Sequence, residues 1–121
     1  MSEMRVTDKN VRRNAATNAL RTVTPDKAFC FYREVGQPLG VASGSLDEFA
    51  AVVESVDSSS IKFHVERGDF ESWFRMLGDR SLADQVAALR GKDISPGELK
   101  GMLSSMVRTR VDRLHKFASS K

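Results

Sequence analysis

The sequence predicts an α+β domain, mainly α, in which one β-hairpin packs on a cluster of four to five helices. Apolar residues recur at helical spacing in several segments, and most of these segments open with a capping residue. Two short segments, 27–33 and 38–43, suit strands and are joined by a turn that contains glycine. The chain of 121 residues, 40% of them hydrophobic, is long enough to build one core.

The N-terminal segment is basic. Alanine and valine recur at helical spacing in residues 7–23, and Thr7 is a possible cap for this helix. Residues 1–24 carry five basic groups against two acidic ones. We therefore divide the chain into a basic N-terminal helix or arm, 1–24, and a single α+β domain, 25–121.

The hairpin precedes the first strongly predicted helix. A lone hairpin is unstable in water, so its two strands must lean on helices. Ser45 and Glu48 form a capping-box pattern, which predicts a helix over 46–56. Residues 57–67 are ambiguous, because their apolar residues fit both a strand and a short helix capped by Asp57 or Ser58. We favour the helix, since capped helices lie on both sides.

The stretch FHVERGDFESWF, residues 63–74, reads as a joint between two helices. Gly68 can take the left-handed conformation that ends a helix, and Asp69 is placed to cap the next one. That next helix carries one continuous apolar face and ends at Gly78. The face consists of Phe70, Trp73, Phe74 and Leu77.

Two more helices complete the chain. Ser81 is predicted to cap the first, which stops at Gly91, and Ser95 opens the second, which runs to about residue 117. The inward face of that last helix is predicted to hold Leu99, Met102, Leu103, Met106, Val107, Leu114 and Phe117. The predicted core consists of Phe29, Phe31, Phe49, Val53, Ile61, Phe70, Trp73, Phe74, Leu82, Val86, Leu103 and Met106.

Candidate binding residues cluster around the joint. His64, Arg67 and Asp69 are close in sequence, and Tyr32 on the hairpin joins them as a fourth candidate. No Ser/His/Asp order or paired-carboxylate pattern singles out a catalytic group. A histidine hydrogen-bonded at a helix junction is the leading interpretation, and a ligand site or a small enzyme or sensor site stays open.

Several other functions lack their motifs. The chain has neither GxxxxGK[ST] nor GxGxxG leading from strand to helix, so we expect no nucleotide cofactor. One cysteine and two histidines make a metal site improbable. The tripeptide at 67–69 matches the integrin-binding sequence, but nothing indicates secretion. No apolar run approaches the roughly 20 residues of a membrane span, and we expect a cytoplasmic protein without membrane contact.

Basic residues near both ends support an alternative function. Residues 100–121 hold six basic groups and one acidic group, whereas the middle of the chain is acidic. Such groups can bind nucleic-acid phosphates, although a solvated helix face is the more common explanation. The candidates are Arg12, Arg13, Arg108, Arg110, Arg113 and Lys116.

A longer pattern over residues 28–90 resembles an uncharacterised prokaryotic family, frequent in archaea and known only as a domain of unknown function. The resemblance begins with an aromatic strand that holds Phe29, Phe31 and Tyr32. Two glycines, Gly36 and Gly40, follow that strand. The remaining elements are Ser45-Leu46-x-Glu48-Phe49, Ser60-Ile61-x-Phe63-His64, Arg67-Gly68-Asp69-Phe70-x-x-Trp73, Leu77-Gly78-Asp79 and Leu82-Ala83. The resemblance implies a small intracellular domain, and the family brings no activity to transfer.

We therefore expect a non-enzymatic binding or interaction domain whose partner is a protein or a small ligand. Weak nucleic-acid binding through the basic ends is one alternative. A small enzyme or sensor that uses His64, Arg67 and Asp69 is the other.

Overall fold

A computed structural model of the chain describes residues 8–119 and confirms the α+β, mainly α architecture. Within these residues, six α-helices form a cluster against which one antiparallel hairpin packs. The elements in order are α1 (Asp8–Ala19), a 3-10 turn (Pro25–Lys27), β1 (Phe29–Glu34), β2 (Gln37–Ser43), α2 (Leu46–Val53), α3 (Ser58–Arg67), α4 (Asp69–Leu77), α5 (Arg80–Ala87) and α6 (Pro96–Ser119). None of the described helices is long and apolar enough to cross a membrane.

Local capping signals explain where most helices begin. The Ser45 hydroxyl accepts from the N–H of Glu48 at the start of α2, and the Asp57 carboxylate accepts from the N–H of Ser59 at the start of α3. Ser95 accepts likewise from the N–H of Glu98 and donates to its carboxylate, so the predicted capping pattern opens α6. The ambiguous segment 57–67 is therefore a helix, as favoured.

Two predicted helix signals near α5 are wrong. Asp79, not Ser81, caps α5, because its carboxylate accepts from the N–H of Leu82. The helix ends at Ala87, and Gly91 lies in the turn beyond it with a φ of +78°. The predicted cap at Thr7 lies outside the described residues.

An aromatic cluster from β1, α2 and α4 fills the core between the hairpin and the helices. Of the twelve predicted core residues, eleven are buried, and Met106 is partly buried against the others. Met102 was expected to face inward but is 43% exposed. The buried stripe of α6 passes beside it, and Val111, which the prediction missed, belongs to that stripe. The stripe consists of Leu99, Leu103, Val107, Val111 and Leu114.

The N-terminal helix packs against α6 and also secures α4. Ala16 and Ala19 are buried in the common core. Asn18 and Arg21 each donate a side-chain hydrogen bond to the carbonyl of Leu77, at 3.3 and 2.9 Å. These donors satisfy a carbonyl that the end of a helix leaves without an intrahelical partner. The position of α4, which carries part of the site described next, therefore depends on α1 and on the residues directly after it.

Candidate functional site

Helix α3 holds the outer edge of the hairpin through two side chains. The backbone N–H of Tyr32 donates to Nε2 of His64 at 2.8 Å, and its carbonyl accepts from the Ser60 hydroxyl at 2.7 Å. Ser60 and His64 lie four residues apart, so they project from the same face of α3. Both backbone groups of Tyr32 therefore point away from β2, where Tyr32 pairs with Pro38. The two side chains thus replace a neighbouring strand at Tyr32.

These contacts define the protonation state of His64. Nε2 accepts from an amide, so in this state it carries no proton, and the ring proton sits on Nδ1. Nδ1 lies 2.8 Å from Oδ2 of Asp69 and donates to it. Burial lowers the pKa of His64, while the hydrogen bond and the charge of Asp69 oppose that shift. His64 is therefore a buried, neutral imidazole with both nitrogens engaged.

Asp69 does not cap α4, which corrects the sequence prediction. Gly68, with a φ of +76°, is at once the C-cap of α3 and the N-cap of α4, and Asp69 is the first residue of that helix. The Asp69 carboxylate turns to the other side, where it bonds His64 and lies 3.2 Å from Nε of Arg67. The guanidinium of Arg67 in turn lies over the Phe63 ring, 5.1 Å from its centroid.

An open cleft of about 640 Å³ lies between the hairpin and helices α3 and α4. All four predicted binding residues, Tyr32, His64, Arg67 and Asp69, line it. Most of the remaining lining is apolar and comes from both sides of the cleft. It consists of Ala28, Phe29, Cys30, Val35, Gly36, Phe63, Ser72, Trp73 and Met76.

The cleft presents an apolar floor beneath an exposed rim. Phe29 and Trp73 are each 7% exposed, and the Trp73 indole N–H donates to the carbonyl of Lys27 at 2.8 Å. Val35 and Met76 on the rim are 75% and 38% exposed. Large apolar side chains exposed around a concave surface are typical of binding sites. Sequence reasoning missed both rim residues, because neither belongs to a periodic pattern.

The arrangement suits binding better than acid–base catalysis. A general base needs a free lone pair directed at the proton that it removes. In His64 that lone pair is occupied by the Tyr32 amide, and the other nitrogen bonds Asp69. The enzyme alternative requires His64, Arg67 and Asp69 to converge on one cleft, and they do. Asp69, however, bonds the His64 ring and pairs with Arg67, so these polar groups are directed at one another and not at the space of the cleft. The polar groups that line the cleft and are at least partly exposed include the ion pair of Arg67 and Asp69 and the side chain of Ser72.

The six basic candidates do not form one free surface. Arg110 donates to Asp79 at 2.8 Å, and Arg108 pairs with Glu54. Arg12 lies over the Phe117 ring, and Arg13 donates to Asn10. Arg113 and Lys116 are exposed on α6.

No described group of three or more His, Cys, Asp or Glu residues is placed to hold a metal ion. No protein-family model, curated protein or solved structure matches the chain with significant similarity. The resemblance to an uncharacterised prokaryotic family stays a prediction.

Proposed function

We propose that the chain is a small intracellular binding module that takes an apolar group of a protein or small-ligand partner into the cleft. The observation that carries the proposal is the exposed apolar rim, Val35 and Met76, above the buried floor of Phe29 and Trp73. Desolvating such a surface favours association by about 25 cal/mol for each Å² of apolar area removed from water. The ion pair of Arg67 and Asp69 supplies the hydrogen-bonding groups that orient the partner.

His64 has a supporting part in this proposal. Its two hydrogen bonds fix β1 on one wall of the cleft and Asp69 on the other. Removing the ring would change the spacing between the walls. The module therefore resembles a preformed groove, which loses little conformational entropy when a partner binds.

The test uses a random peptide library displayed on phage and selected on the intact chain. We expect enriched peptides that carry a large apolar anchor. Their affinity, measured by fluorescence anisotropy, should fall at least about tenfold in Met76→Asp, because the substitution replaces an apolar rim side chain by a charged group, which lies within reach of Arg21 and stays hydrated. Val11→Asp is the matched control, because Val11 is 52% exposed on α1 and does not line the cleft.

A second readout uses the single cysteine of the chain. Cys30 is exposed and lines the cleft, so a bound peptide should slow its alkylation. The proposal would be contradicted by peptides that bind the Met76→Asp variant as tightly as they bind the natural chain and that leave Cys30 accessible to alkylation.

The nucleic-acid alternative rests on Arg113 and Lys116, which are exposed three residues apart on α6. Binding by phosphate contacts would weaken steeply with salt. Titration of duplex and single-stranded DNA and RNA at two salt concentrations tests it. Binding that is absent at low salt removes this alternative without affecting the proposal for the cleft.

A further inference from the structure

A second groove, of about 810 Å³, lies between α5 and α6 on a surface that shares no lining residue with the cleft. We call its α6 side the α6 face and define it as Gly101, Met102, Ser105, Met106 and Thr109. Met102 is 43% exposed there, although it lies next to the buried stripe of the same helix. Large and small side chains follow each other along this face, so that each methionine has a small residue beside it.

We propose that the α6 face binds a second copy of this chain, with the two α6 helices antiparallel about a twofold axis. An axis that passes between Ser105 and Met106 reverses the order of residues on the second helix. Met106 then faces Ser105 of the partner subunit, and Met102 faces Thr109 of the partner subunit. Each large side chain meets a small one, which allows the ridges of one helix to enter the grooves of the other.

The charges at the two ends of the groove fit the same symmetry. Glu98 lies at one end and Arg113 at the other, at equal sequence distance from the axis. Each Glu98 would therefore face Arg113 of the partner subunit, twice in one dimer. No ion pair joins Arg113 to another residue in the described part of the chain, so its charge is available. Arg110 in the same groove already pairs with the buried carboxylate of Asp79.

Self-complementarity is the reason for choosing a second copy over another occupant. In a twofold interface the same patch meets itself, so every acidic end must find a basic end and every large residue a small one. The α6 face satisfies both conditions about one axis. The patch is small, which predicts a weak and concentration-dependent dimer.

The test is sedimentation velocity of the full chain over a concentration series. We expect the natural chain to dimerise, and Arg113→Glu to raise the dissociation constant at least about tenfold, because two pairs of like charges then meet. Glu98→Arg should do the same, and it also removes the acceptor of the Ser95 hydroxyl at the start of α6. Lys27→Glu is the control, since it makes the same charge change on an exposed residue outside the groove.

Mixing the two weakened variants gives the sharpest result. A mixed dimer of Glu98→Arg with Arg113→Glu joins opposite charges at both ends, so the mixture should recover association that neither variant shows alone. A natural chain that stays monomeric throughout the series would overturn the proposal. So would an Arg113→Glu chain that dimerises normally, or a mixture without recovery. Circular dichroism of each variant establishes that the helices are intact.

Discussion

The backbone N–H of Tyr32 donates to Nε2 of His64 across 2.8 Å, so a histidine on a helix bonds the strand edge that another strand would otherwise occupy. An imidazole can accept this bond only while Nε2 is unprotonated. The attachment of the hairpin to α3 therefore depends on the charge state of one buried ring.

The first prediction is a loss of stability in mild acid. Burial places the folded-state pKa of His64 below its ordinary value of 6.5, which the unfolded chain should show. As the pH falls below 6.5, the unfolded state binds the proton first, so the free energy of unfolding decreases until the pH passes the lowered folded-state pKa. The contribution of neutral His64 to the free energy of unfolding is fully present at a pH well above its ordinary pKa of 6.5. Urea titrations between about pH 8 and pH 5.5 measure this change.

The two histidines of the chain provide the control for that experiment. His115 is exposed and lies 2.9 Å from a carboxylate oxygen of Asp47. Over the same pH range His115→Gln should keep most of the acid dependence, whereas His64→Gln should lose most of it and be less stable at neutral pH. Equal pH profiles for the natural chain and His64→Gln would contradict this assignment.

The second prediction separates two roles of Asp69. Asp69→Ala leaves the Nδ1–H of a buried His64 without an acceptor, which should cost about 1–3 kcal/mol of unfolding free energy. Asn keeps an oxygen that can accept this bond and should cost less than Ala. Ser is too short to reach the ring, so Asp69→Ser should be about as damaging as Ala. Thermal melts of the three variants decide the matter, because an N-cap would rank Ser with Asn instead.

The third prediction compares two buried serines. The Ser60 hydroxyl donates to the Tyr32 carbonyl, and Ser60→Ala should lower the unfolding free energy by about 1–2 kcal/mol. The hydroxyl of Ser43 is buried with no hydrogen-bond partner among the described residues. Ser43→Ala should therefore be neutral or stabilise by up to about 1 kcal/mol. Urea titrations in which both substitutions cost the same would show that Ser43 has a partner in solution.

The fourth prediction concerns two arginines of α6. Asp79 is fully buried and pairs with Arg110, so Arg110→Ala leaves an uncompensated charge and should cost about 3–5 kcal/mol. Arg108 and Glu54 are both about half exposed, and Arg108→Ala should cost at most about 1 kcal/mol.

A double variant tests the cause of the larger loss. Asn at position 79 can still cap α5 but carries no charge. Asp79→Asn combined with Arg110→Ala should therefore recover part of what Arg110→Ala loses. A double variant as unstable as the single one would indicate that Arg110 acts through packing alone. Thermal denaturation of the natural chain, Arg108→Ala, Arg110→Ala and the double variant measures these differences.

The sequence was sufficient for features that depend on neighbouring residues. Capping at Ser45 and Ser95, the helix end at Gly68 and the aromatic stripe of α4 each follow from a few adjacent positions. The role of Asp69 was not predictable in this way. A carboxylate at a helix start can cap the helix or bond elsewhere, and the choice depends on where the strand places His64. Asp79 replaced Ser81 as a cap for a comparable reason, since Arg110 from a distant helix stabilises its charge.

The hydrogen bonds that attach Tyr32 to α3 also determine the order in which the hairpin and α3 can become attached during folding. Both of its backbone groups bond to side chains that come 28 and 32 residues later in the chain. A two-stranded hairpin alone is marginal in water. During synthesis from the N-terminus, the hairpin emerges before the residues that hold it, so it cannot become firmly attached until α3 has formed. Although the strands are made early, the cleft is completed late.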